Sequence, residues 1–216
     1  MSSTWREEMD RWHGLANLFA SLDYWSEVQT TLAQQGAFET AAPLFGRPYL
    51  DGNRLLFPRG PGADQDSEGY TDYSIHDVAD HFALEVSGQR RGRTYENVAK
   101  AWFSDFADIA KYFVGSNVAS RTRSRYRPAN LEIINHRWLD RGPAPLWDQV
   151  REPNPGGFDR AVKYFRSDHP ERWYFTVTTD SDTSFMLDLP WRELNSIFSE
   201  GIPGIEHIPF PKFSDG

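Results

Sequence analysis

The run with the most chemistry in it is His76-Asp77-Val78-Ala79-Asp80-His81. Two imidazoles and two carboxylates within six residues are the ligand types that zinc, iron or manganese take. A metal-dependent hydrolase using His76, Asp77, Asp80 and His81 is the reaction they would serve. The competing reading is a polar turn with an apolar centre, in which the two histidines begin neighbouring strands, and it is favoured. A helical reading, with Ile75, Val78, Ala79 and Phe82 at helical spacing and Ser74 as cap, ranks lower because Phe82-Leu84-Val86 continues as a strand. A second run, Arg121, Arg123, Arg125 and Arg127 alternating with Thr, Ser and Tyr, has the look of a phosphate strip. A solvated loop that pairs with the acidic remainder of the chain is favoured over it. Arg125-Tyr126-Arg127 is a single instance of the basic-aromatic interleaving that stacks bases. Gly60-Pro61-Gly62 has no following lysine or helix, and no Walker loop, dinucleotide fingerprint or Gly-x-Ser-x-Gly elbow occurs. No catalytic residue, metal site or cofactor is therefore assigned.

Composition narrows the classes further. The 216 residues include no cysteine, which excludes a disulfide framework, thiolate catalysis and Cys-ligated zinc, and fits a reducing cytosol. A formal charge of -8 disfavours nucleic acid and anionic membranes as partners. No apolar run is long enough to span a bilayer, and Met1 to Asp10 lacks the order of a signal peptide. The expectation is a cytoplasmic protein of one domain, residues 1–216, with a helical extension over 1–24 and a loose tail over 204–216. Eight tryptophans and 15% aromatic residues point to core, with a share left for an interface.

These residues must be carried by a scaffold, and its centre is a meander. Tyr70 to His76 is short and polar-aromatic, and His81 to Val86 and Thr94 to Phe103 carry period-two apolar spacing around a tip, Ser87 to Gly92. Ser104 caps a following helix whose stripe is Phe106, Ile109, Ala110, Phe113 and Val114. Before the meander come a helix over Trp5 to Leu22 capped by Thr4, a second helix from Ser26 to Gln35 stopped by Gly36, and a hairpin turning at Asp51-Gly52-Asn53. After it come a strand or helical turn over Asn130 to Leu139 and a proline-broken connector from Arg141 to Phe158. A hairpin of Trp173 to Thr178 with Ser184 to Leu189 follows, then a closing helix from Trp191 to Glu200. The class is α+β: a mostly antiparallel sheet, meander plus hairpins, with helices packed on it.

That order, together with the segment Asp51 to Phe57 and the run Asp108-Ile109-Ala110-Lys111-Tyr112-Phe113-Val114-Gly115-Ser116, resembles the immunity-protein family that neutralises NAD glycohydrolases of the tuberculosis-necrotizing-toxin type. The similarity covers residues 28–202. The first helix and the connector 129–155 are longer than the family pattern. The resemblance implies a cytoplasmic antitoxin without catalytic residues or cofactor, bound one to one to its toxin and occluding the NAD pocket. Two loops are then candidates for contact. One is the meander tip, Gly88, Gln89, Arg90, Arg91 and Gly92. The other is the acidic loop Asp64 to Asp72, in which Asp64, Asp66 and Glu68 suit a basic phosphate-binding rim. An ordinary solvent loop is the competing reading for each.

Overall fold

Alternating apolar residues and two-residue turns build one sheet, and the helices bury its apolar face. The computed structural model describes residues 11–63, 69–128, 131–178 and 180–214. In chain order these contain helix α1 (Leu15–Gln34), strands β1 (Tyr49–Asp51), β2 (Arg54–Phe57), β3 (Gly69–Asp77), β4 (Phe82–Arg90) and β5 (Arg93–Phe103), and helix α2 (Phe106–Tyr112). A π-helix (Phe113–Ala119), helix α3 (Ser120–Ser124), a 3-10 turn (Ile134–Arg137), strands β6 (Trp147–Arg151), β7 (Val162–Arg166) and β8 (Trp173–Thr176), and helices α4 (Thr183–Asp188) and α5 (Trp191–Ser199) complete it. All pairings are antiparallel, and the order across the sheet is β1-β2-β3-β4-β5-β8-β7-β6. The fold class is α+β, and the meander, the first hairpin and the closing helix stand where the periodicity put them.

The main core lies between the helices and the face carrying Leu55, Phe57, Ile75, Leu84, Phe103 and Tyr174. Its centre is Phe113, stacked on Phe57 at 3.9 Å and edged by Phe45 and Tyr73. The opposite face holds a smaller cluster of Ala83, Trp102, Ala161 and Phe175. The backbone at Gly156 closes over Trp102 so tightly that a Cβ there would lie 2.8 Å from the indole.

Several expectations change on the structure. The two N-terminal helices are one, and position 24 falls inside it. Tyr24 and Trp25 are buried, so packing overrides the capping tendency of Ser26. Residues 5–10 of the expected first helix and its Thr4 cap lie outside the described residues. Gly36, at φ 70, ends the helix as expected, with Ala37 N–H donating to Leu32 O at 2.8 Å. Asp105, not Ser104, caps α2, its carboxylate accepting from Asp108 N–H at 3.2 Å. The Ser104 hydroxyl accepts from Trp173 N–H at 2.8 Å instead and ties β5 to β8. Helical structure also runs on past Gly115 to Ser124; a Cβ at Gly115 would lie 2.3 Å from Met186 Sδ, so the bare glycine lets α4 approach. The connector contains β6, and Ser184 to Asp188 is helical, with Ser184 and Met186 buried and Leu189 an extended C-cap. The tail is docked: Ile205 and Ile208 are buried, and Asn17 and Ser214 exchange two hydrogen bonds of 2.8 and 3.0 Å.

One ion pair ties the helices to the far half of the sheet. Asp108, 2% exposed, receives both arms of the Arg172 guanidinium at 2.7 and 2.8 Å. Burial pushes the Asp108 pKa up even with that partner present. Removing one partner of a buried pair strands the other's charge. Arg172→Met should lose about 3–5 kcal/mol in urea denaturation at neutral pH. A carboxylate whose folded pKa is raised weighs against folding as pH rises through that range, so the deficit should shrink on acidification. Asp108→Asn in the same chain should restore part of the loss; a variant as stable as the parent at neutral pH would show that the pair carries no strain-bearing charge.

Candidate functional site

The meander is longer than the core beneath it. Strand β5 is buried only at Ala101, Trp102 and Phe103, and its first eight residues are exposed or half-buried. The outer parts of β3, β4 and β5 therefore project as a three-stranded arm. Two irregularities in the β4–β5 register bend it, between Leu84 and Glu85 and between Val86 and Gly88. At the second, Asn97 adopts φ 50 and its N–H donates to the Ser87 hydroxyl at 2.8 Å. Gly88 is required there, since a Cβ would lie 2.0 Å from Tyr70 O. Tyr95 covers the glycine and its hydroxyl is 3.0 Å from that of Thr71. At the arm's root, Glu85 is buried and engages Arg54 and His76, while Asn53 reaches the other ring nitrogen of His76 at 3.0 Å.

The tip is a two-residue turn. Arg90 pairs with Arg93, and Arg91 and Gly92 take φ 49 and 76, both in the left-handed region. That is the conformation of a type I′ hairpin, which favours Asn-Gly. An arginine at the first position is held against its backbone preference. Arg90, Arg91 and Arg93 are all exposed, which sets three cations on the end of an arm in a protein of net charge -8.

The sequence-based candidates are distributed as follows. Gly88, Gln89 and Arg90 belong to β4 rather than to a loop, and only Arg91 and Gly92 turn. The alternation of turn-forming residues at Ser87 to Gly92 masked a strand because a bulge, not a loop, uses Gly88. Asp64, Asp66 and Glu68 lie outside the described residues. Gly69, the first residue of β3, pairs with Arg90 beside the basic tip. The His–Asp run does not converge. His76 turns to Glu85 and Arg54, Asp77 takes Arg11 Nε at 2.8 Å, and Asp80 bonds His81 at 2.8 Å. Among the described residues no three His, Asp or Glu side chains group as metal ligands.

The arginine run is also structural. Arg123, buried, donates to the carbonyls of Glu132, Phe198 and Glu200. Arg125 donates to Thr40 and to Gly62 O, and Arg127 to Glu39 O. Sequence reading missed the Arg54–Glu85–His76 network, although a glutamate within the apolar run Phe82 to Val86 was its signal.

Fold and arm together define the class: an α+β scaffold, built on a single antiparallel sheet, that presents a basic hairpin. Among solved structures the chain is similar to Rv3902c from M. tuberculosis, at 15% identity and a TM-score of 0.47, over 71% of this chain and 80% of that one. No protein-family model and no curated protein matches the sequence.

The arginine at the turn yields a stability test. Arg91→Asn should raise stability by about 0.5–1 kcal/mol, because asparagine tolerates the left-handed conformation. Thermal melting would measure it, and a lower melting temperature would mean that Arg91 contacts outweigh its backbone cost.

Proposed function

We propose that the protein is an immunity protein that binds a cognate NAD-degrading toxin one to one and occludes its active site. The observation that carries this reading is the basic type I′ turn at the end of the arm. Occlusion asks for a rigid protrusion and a few anchoring side chains, and arginine is enriched among such anchors. A two-residue turn between paired strands has little freedom left to lose on binding, which favours tight association. The resemblance in Asp51 to Phe57 and in Asp108 to Ser116 falls on the β1–β2 hairpin and on the central helical rod. Those segments build the scaffold, so they support a shared framework and leave the contact surface to the arm and to the acidic loop.

This function needs no catalytic residue, metal or cofactor in the chain itself. The acidic charge suits a protein partner better than nucleic acid. No helix among the described residues is long and apolar enough to cross a membrane. A cytoplasmic location is part of the proposal, since the toxin would act on the NAD pool there. The metal-dependent hydrolase alternative is not carried further, because His76 turns to Glu85, Asp77 to Arg11, and Asp80 and His81 only to each other.

The test is NAD consumption by a glycohydrolase of the necrotizing-toxin type, ideally one encoded beside this gene, with and without a molar equivalent of the protein. Stoichiometric loss of activity is expected. Arg90→Ala combined with Arg91→Ala should weaken inhibition by about tenfold or more, consistent with loss of anchor residues, at an unchanged melting temperature. Inhibition undiminished by that pair would move the contact to the acidic loop; full toxin activity with the parent protein would end the immunity reading.

A further inference from the structure

The last two rungs of the arm place a charge pattern on one of its faces. The end rung is Gly69 on β3, Arg90 on β4 and Arg93 on β5; the next is Thr71, Gly88 and Tyr95. Successive residues of a strand alternate between faces, so residues two apart share one. All of these positions therefore lie on the same side of the arm. Arg90 and Arg93 are directly opposed there, which holds their Cβ atoms about 4.5–5.5 Å apart. Both are exposed, and neither side chain has an ion pair or hydrogen bond among the described residues.

Like charges directly opposite each other destabilise an antiparallel pair. Among the described residues no acid on that face relieves this one. Gly69 carries no side chain, and neither does Gly88, where a Cβ would lie 2.0 Å from Tyr70 O. Tyr95 lies across the bare Gly88, with its hydroxyl 3.0 Å from Thr71 Oγ1. The described acids of the outer arm alternate to the other side: Asp72 is taken there by Arg59 at 2.8 Å, and Glu96 follows Tyr95. Two cationic side chains thus rise from a low face whose other polar side chains are two hydroxyls.

We infer that this face is a clamp for a carboxylate on an acidic patch of the partner protein, with Arg90 and Arg93 closing on it from both sides. That the partner is the toxin rests on the immunity reading; the clamp itself rests on the strand register. Guanidinium suits a carboxylate because its fork makes two parallel charge-assisted hydrogen bonds. A bound anion also offsets the repulsion between the two arginines, which a neutral partner cannot do. Nucleic acid would present negative charge too, but the protein's net charge of -8 repels a long polyanion at range, whereas a compact acidic patch meets only the arm.

The experiment has two parts. The first titrates the full chain at low salt with tetraglutamate, its neutral isostere tetraglutamine and a short oligonucleotide of equal charge, followed by the arginine Nε–H signals in NMR. Tetraglutamate should shift the signals of Arg90 and Arg93 saturably. Tetraglutamine should bind about tenfold or more weakly, and the oligonucleotide no more tightly than tetraglutamate. Arg93→Gln should remove most of the preference for tetraglutamate at an unchanged or higher melting temperature, since it relieves the opposed charges. The second part measures inhibition of a necrotizing-toxin-type glycohydrolase, which Arg93→Gln should weaken about tenfold or more. Equal binding of the two peptides, tighter binding of the oligonucleotide, or a peptide preference unchanged in Arg93→Gln would overturn the clamp. So would a lower melting temperature for that variant, which would reveal a partner within the chain, or toxin inhibition that it leaves intact. An uninhibited toxin together with Arg93-dependent tetraglutamate binding would end the immunity reading and leave the clamp standing for another acidic protein.

Discussion

The structure depends on how the central helical rod, residues 106–124, is charged at its two ends. Near its start, Asp108 is buried and holds Arg172; near its finish, Arg123 is buried and gathers the carbonyls of Glu132, Phe198 and Glu200. A buried charge without partners is costly, so each end dictates what must come to meet it. Asp108 recruits the residue that precedes β8, and with it the outer half of the sheet. Arg123 recruits the C-terminal end of α5, where exposed carbonyls and the helix dipole favour a cation. Between the two, Gly115 and the π-helical turn let Met186 and Phe198 press against the rod. The late third of the chain is thereby positioned by two side chains from its middle.

A scaffold fixed in that way can carry a protruding arm whose sequence is free to serve recognition. Nothing in the core contacts depends on the tip, whereas the root of the arm is secured by Glu85 with Arg54 and His76. The separation matters physically. Cationic residues at the tip repel one another, and Arg91 occupies a backbone angle that asparagine or glycine would fill more comfortably. Such local conflict is tolerated where the surroundings over-determine the backbone, and it is expected at functional positions.

How much of this was legible in the sequence follows from which forces were local. The meander was, because Phe82-Leu84-Val86 and Ile75 alternate over a pleat whose period is two. The stops at Gly36 and Gly201 were, because both residues need positive φ. The strand at Trp147 to Arg151 was hidden by surrounding prolines, and its identity comes only from pairing with β7, far along the chain. Ser184 to Leu189 alternates as a strand would, yet it folds as α4, whose Leu187 carbonyl accepts from Lys111 and Arg172, residues distant in the chain. Of the candidate site, the arginines were visible as a cluster, but their place on paired strands was not, since the bulge at Gly88 imitates a turn. Lys111 was read only as a member of a motif; its hydrogen bond to Leu187 O depends on the placement of α4, and no local pattern announces that.

The contact between Asn17 and Ser214 joins residues 197 positions apart, and Trp25 meets Asn195 across 170. Contacts of such separation close large loops before they reward the chain, which slows folding. During synthesis the apolar stripe of α1 emerges first and finds its last partners only when the closing helix and the segment after it have left the ribosome. Until then Leu18, Trp25 and their neighbours are open to water and to other chains. The nascent protein is therefore a natural client for chaperones that shield exposed hydrophobic helices, and shortening it beyond residue 190 should harm solubility far more than the small area removed would suggest.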